Sequence, residues 1–209
     1  MTITSTGKKE EDKMEMYLLA PHIIKESSEG TTYCPIQDEL FNSRRSIEVV
    51  GEITRESVYS LILQLRYLHS ADPEKEITMY INSPGGSVID GLALYDVMAA
   101  VSCPIRTVCV GMAASMGSLL FAAGDSRDIL PHAKVMIHDP LTTGIQGSAL
   151  SVEEASRRLM ETRKTVAEIL AEHTGHTIEE VYEKTKTDSY FNAQEAVDWH
   201  LADRIIHEI

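Results

Sequence analysis

Cysteine is scarce in this chain: only Cys34, Cys103 and Cys109 occur, an odd number with no CxxC or metal-ligand spacing. That favours a reduced, cytoplasmic setting with the thiols in the core over a disulfide framework. Positive charge is also short. Lys and Arg total 19 against 32 Asp and Glu, a formal net charge of −13, which argues against a phosphate-binding surface for nucleic acid and against attraction to acidic lipid. No GxxxxGK[ST] motif is present, so the chain has no P-loop for ATP. Lys8-Lys9-Glu10-Glu11-Asp12-Lys13 interrupts any apolar signal core. The uncharged run Thr107 to Gly124 approaches the length of a bilayer span, but its glycines and hydroxyl residues dilute it. It reads better as a strand, turn and helix buried in an α/β core. Internal repeats and low-complexity linkers are missing as well.

What is present suits one domain: 209 residues, 43% hydrophobic and 24% charged. Residues 1–20 are expected to be a flexible arm, with a single domain over 21–209. Strands are expected at Ile47–Val50, Ile77–Ile81, Ile105–Val110 and Val135–Ile137, and helices from Thr54 to about Ala71, Val88 to Val101 and Ser115 to Ala123. Strands alternating with helices imply right-handed crossovers and a largely parallel sheet covered on both faces. Ser151 to His173 is the longest helical run, with Ser151 and Glu154 as a capping box and Ala155, Leu159, Val166 and Leu170 as its apolar stripe. Its length exceeds what a domain of this size needs, so the stripe is a candidate for packing on another subunit as well as on its own core.

The chemistry centres on Gly111-Met112-Ala113-Ala114-Ser115-Met116-Gly117-Ser118. An apolar strand gives way here to small residues and then to a helix. Gly111 is expected to permit the turn, and Ser115 falls near the helix N-terminus, where unpaired N–H groups favour negative charge. A serine there is either a nucleophile beside an oxyanion site or an ordinary N-cap. A nucleophile needs a base and a group to orient it, and His138 and Asp188 are candidates because each follows an apolar segment into a loop. In a parallel sheet, the loops carrying Gly85-Gly86, Ser115 and His138 all begin at the carboxyl ends of strands.

Several motifs in order resemble the ClpP family, the proteolytic subunits of Clp proteases, from about Ser46 to the C-terminus. Tyr80-Ile81-Asn82-Ser83-Pro84-Gly85-Gly86-Ser87-Val88 is similar to its glycine loop, Gly111 to Gly117 to its nucleophile segment, and Val135-Met136-Ile137-His138 to its histidine segment. Asp188 precedes Phe191-Asn192-Ala193-Gln194-Glu195-Ala196 as the family's third triad member precedes its closing helix. The resemblance implies a ClpP/crotonase-like α/β spiral of βαβ units with a protruding handle over about 141–173. It further implies an ATP-dependent serine endopeptidase with Ser115 as nucleophile, His138 as base and Asp188 as its orienting carboxylate. Gly86 and Met116 would supply oxyanion N–H groups. No cofactor or metal is implied, since ATP belongs to the unfoldase. The implied partners are copies of the chain in two stacked heptameric rings (a tetradecamer), a paralogous subunit where rings are mixed, an AAA+ Clp unfoldase and unfolded polypeptide. Substrate would lie extended beside Leu141 to Gly147.

Four positions depart from the family pattern. Asp139 stands where glutamine is usual and brings a second carboxylate toward the base; the connection Gly124 to Pro131 is short; Lys186-Thr187 replaces an acidic residue and arginine tied to ring contact; and Thr78 replaces an aromatic residue of the docking pocket. These departures motivate a second reading, a poorly active subunit that completes mixed rings. A crotonase-like acyl-CoA enzyme is a third, though that chemistry does not need the Ser115, His138, Asp188 set.

Overall fold

The computed structural model describes residues 21–209 except 29 and 143, so the expected arm at 1–20 lies outside the described residues. The described residues divide into two compact units, the first ending at residue 46 and the second spanning 47–209. In the first, β1 (His22–Ser27) pairs antiparallel with β2 (Gly30–Pro35), from His22↔Pro35 to Ser27↔Gly30. Helix α1 (Ile36–Arg44) follows and buries none of its residues. Neither hairpin nor helix has the apolar periodicity that would reveal it in the sequence.

The second unit is built on a seven-stranded sheet. In chain order it comprises β3 (Ser46–Val50), α2 (Arg55–Ala71), β4 (Ile77–Ser83), α3 (Val88–Ala100), β5 (Ile105–Ala114), α4 (Met116–Ala122), β6 (Ser126–Ile129) and β7 (Lys134–Ile137). It continues with α5 (Ala149–Thr174), α6 (Ile178–Thr185), β8 (Ser189–Phe191), α7 (Ala193–Asp198) and β9 (Arg204–Ile205). The main strand order is β3-β4-β5-β6-β9. This is the mixed α/β architecture expected from the alternation of strands and helices.

Strand β5 changes neighbours along its length. Its first half runs parallel to β6, Arg106↔Ser126 to Cys109↔Ile129, and its second half parallel to β7, Met112↔Lys134 to Ala114↔Met136. β8 then joins β7 antiparallel. Strand β6 falls within the connection from Gly124 to Pro131 and is illegible by hydropathy because its Ser-Arg-Asp-Ile sequence is polar. Asp128 is fully buried there and accepts from Arg106 Nε (2.6 Å) and Arg204 Nε (2.7 Å), joining β5, β6 and β9. Pairing and hydrogen bonding make this buried charge tolerable.

Cover of the sheet is less complete than expected. Ile77, Met79 and Ile81 of β4 are fully buried, but Thr78 and Tyr80 between them are half-buried, and Glu48 and Val50 of β3 are exposed. Burial alternates because one face carries the packed helices. Helix α2 contributes Val58, Leu61, Leu65 and Leu68 to the core and is capped by Thr54, whose hydroxyl accepts from Ser57 N. It stops at Asp72, before Pro73.

The long helix α5 has 26 residues, roughly 39 Å of rise. Its N-cap is Ser148, which accepts from Ser151 N at 3.3 Å, rather than the Ser151–Glu154 box. Val166, Ala167, Ile169, Leu170 and Thr174 are its buried residues, whereas Leu150, Val152 and Met160 of its first half are exposed. No helix among the described residues is long and apolar enough to cross a membrane. Leu65 has no exposed surface; Leu65→Ala is expected to lower unfolding free energy by about 2–5 kcal/mol in urea titration.

Candidate active site

Ser115 joins β5 to α4 with φ 54° and ψ −123°, a left-handed conformation that a serine rarely adopts. Such a residue costs about 1–3 kcal/mol and persists only where its surroundings hold it. Ser115 N donates to the Met136 carbonyl at 2.9 Å, and the Ser115 carbonyl accepts from Ser118 N at 3.0 Å and Ser118 Oγ at 2.6 Å. The strained turn therefore lies at Ser115 itself and not at Gly111. Gly111 is inside β5, where an added Cβ would approach Asn82 Oδ1 to 2.7 Å; that oxygen accepts from Met112 N at 3.2 Å. Glycine at this position makes room for a side chain rather than for a bend.

His138 leaves the end of β7, and its Nε2 is 2.8 Å from Ser115 Oγ. For Nε2 to accept the serine proton, Nδ1 must carry hydrogen, the tautomer favoured by a carboxylate on that side. Asp188 Oδ1 is 3.5 Å from Nδ1. The pairing of β7 with β8 brings them together, because the last register pair, Ile137↔Ser189, sets His138 and Asp188 at adjacent positions just beyond it. The His138 side chain is 12% exposed and that of Asp188 60%. Ser115, His138 and Asp188, distant in the sequence, thus form one line of contacts whose exposure rises from His138 to Asp188.

The glycine loop lies against the same turn. Gly85 and Gly86 have φ of 95° and 151°; a Cβ at Gly85 would lie 2.7 Å from Ser115 Cβ, and one at Gly86 would lie 2.2 Å from the Ile53 carbonyl oxygen. Ile53 N donates to the Gly85 carbonyl and Ser87 N to the Ile53 carbonyl, both at 2.8 Å. This bridge leaves the Gly86 N–H out of the pairing. Met116 is the first residue of α4, so its N–H has no acceptor within the helix. Two backbone donors therefore belong to the segments that flank Ser115.

Asp139 turns its carboxylate to other partners. Oδ2 accepts from Arg163 Nε of α5 at 2.6 Å and Oδ1 from Thr185 Oγ1 of α6 at 2.8 Å. Nothing in the sequence marks Arg163, which sits in a helix rich in charge. Lys186 pairs with Glu183, both exposed. Among the described residues, no group of three or more His, Cys, Asp or Glu side chains is placed to hold a metal.

A model of the Clp protease family matches residues 28–209. The chain belongs to the Clp protease family and is a protease. It is also 42% identical over 190 residues to the ATP-dependent Clp protease proteolytic subunit of Ligilactobacillus salivarius (strain UCC118), with 90% of this chain and 95% of that protein covered.

Cys109 lies in β5, six residues before Ser115, and burial pushes its thiol from an ordinary value of 9.0 up to about 12. The folded chain therefore keeps the thiol proton that an unfolded chain releases as pH rises from 9 toward 12. Stability contributed by this group is complete below that window and falls through it, by up to about 1.4 kcal/mol per pH unit. Urea titrations between these limits should give a steeper alkaline loss for the unaltered protein than for Cys109→Ala; equal slopes would contradict the assignment.

Proposed function

We propose that this chain is the proteolytic subunit of an ATP-dependent serine endopeptidase that cleaves unfolded polypeptides through Ser115, His138 and Asp188. The observation that carries the reading is the 2.8 Å contact between Ser115 Oγ and His138 Nε2 at a turn where Ser115 has positive φ. Ser115 Oγ attacks the scissile carbonyl carbon while His138 Nε2 takes its proton. The C–N bond then breaks as His138 returns the proton to the leaving amine, and water repeats the sequence on the acyl-enzyme. Asp188 holds the Nδ1–H tautomer and stabilises the imidazolium. The N–H groups of Gly86 and Met116 receive the oxyanion, where each donor is worth about 2.7–4 kcal/mol. Backbone amides serve this purpose because the glycine loop runs so close to Ser115 that no side chain fits between them.

Substrate held in extended form by strand addition would lie beside Leu141 and Ile145, which are exposed and follow His138 in the chain. The uncovered first half of α5 suits a contact with further copies, in heptameric rings stacked as a tetradecamer, and an AAA+ Clp unfoldase would supply both ATP hydrolysis and unfolded chain. The Ser115–His138 contact favours an active subunit over one that only completes a mixed ring.

A fluorophosphonate probe is expected to label Ser115, and Ser115→Ala is expected to abolish both labelling and hydrolysis of a short fluorogenic peptide. Undiminished hydrolysis by that variant would sink the assignment. Asp188→Asn should still be labelled, but with kcat lowered at least about 100-fold, because the amide no longer favours the Nδ1–H tautomer.

A further inference from the structure

His138 and Asp188 lie just past the end of the β7–β8 ladder, whose last pair is Ile137↔Ser189. Strand pairing fixes their separation from one side only. On the other side, the residue after His138 meets the residue three before Asp188. Asp139 N donates to the Thr185 carbonyl at 2.9 Å, and Thr185 Oγ1 donates to Asp139 Oδ1 at 2.8 Å. The two bonds form a reciprocal clasp across 46 residues. Thr185 is 3% exposed, so its hydroxyl is sheltered from competing water.

The other carboxylate oxygen of Asp139 accepts from Arg163 Nε at 2.6 Å. Arg163 comes from α5, three residues before Val166, the first residue of that helix to be buried. Its guanidinium carbon lies 3.9 Å from the centre of the Tyr182 ring on α6, a cation–π contact that orients the fork. Asp139 therefore needs two acceptor oxygens, one for each neighbour, and an amide would offer only one.

We infer that Asp139, with Thr185 and Arg163, is a positioning residue that holds His138 and Asp188 at working separation and makes helix α5 part of the support of the catalytic base. The inference rests on the Ser115–His138–Asp188 reading. Displacements of about 1 Å in such constellations cost up to about 100-fold in rate. Asp139 itself is placed to act on geometry, since both its oxygens are engaged away from the Ser115–His138 contact.

The test uses the full chain in its native assembly, with kcat and KM measured on a short fluorogenic peptide, assembly by sedimentation and folding by circular dichroism. Asp139→Ala is expected to lower kcat about 10- to 100-fold with KM changed less than about twofold. Arg163→Ala should lower kcat in the same way, and Arg163→Lys, which keeps a cation for Oδ2, should recover most of the loss. Thr185→Val should give a smaller loss of the same kind. Should Asp139→Ala fail to fold, Asp139→Asn, which keeps the volume and one acceptor, replaces it with a smaller expected loss. The inference is overturned by a kcat within about twofold of the unaltered protein for Asp139→Asn and Arg163→Ala. It is equally overturned by a loss that appears in KM or follows dissociation of the assembly. Hydrolysis that survives Ser115→Ala would instead remove the reading on which it rests.

Discussion

A strained serine turn at the end of β5 governs the rest of the second unit. Ser115 can hold φ 54° only because the strand before it and the helix after it are both immobilised. All seven residues of α4 are buried, and the Ser115 amide continues the β5–β7 pairing through the Met136 carbonyl. That pairing in turn requires β5 to release β6 halfway along and take up β7. The exchange of neighbours is thus what delivers β7, and with it His138, to the serine. Even Gly111 follows from it, since Asn82 crosses toward β5 near the β4 irregularity between Ile81 and Ser83.

Polarity is graded along the site. Ser115 is partly exposed, the His138 side chain is largely sheltered, and that of Asp188 is mostly in water. An exposed carboxylate is a weak electrostatic partner because solvent screens it, so its influence on His138 depends on placement more than on charge alone. The clasp between Asp139 and Thr185 supplies placement from the side where β-pairing ends. The Asp139 carboxylate beside His138 is held structurally, since Arg163 and Thr185 occupy both its oxygens.

Helix α5 is divided in its energetics. Its last third is anchored by Val166, Ala167, Ile169 and Leu170, whereas its first half carries exposed Leu150, Val152 and Met160 among exposed ion pairs such as Arg157–Glu154. Pairs of that kind contribute little in water. Helix continuity, N-capped by Ser148 and closed by Gly175 at φ 74°, carries the rigidity of the uncovered half. Arg163 stands at the junction of the two regimes, where movement of the free half would first be felt.

Much of the second unit was legible in residue order alone. Periodicity marked β3, β4, α2 and α3 within a few residues, because their apolar positions repeat at the spacing of the structure they form. The family, and the residue types proposed for the site, could be read from contiguous motifs. Ser126–Ile129 could not, because its charges are balanced by residues distant in the chain, Asp128 by Arg106 and Arg204 and Arg127 by Asp203. The hairpin and helix at 22–44 lacked a periodic signal, and Ser115 rather than Gly111 took the strain because β5 continued to Ala114 to pair with β7. By itself the sequence determined which chemical groups exist and the local elements that carry them. Tertiary structure decided the separations, 2.8 Å from serine to histidine and 3.5 Å from histidine to aspartate, and the partners of Asp139. Such distances depend on strand exchange and on contacts across tens of residues, and no local pattern encodes them.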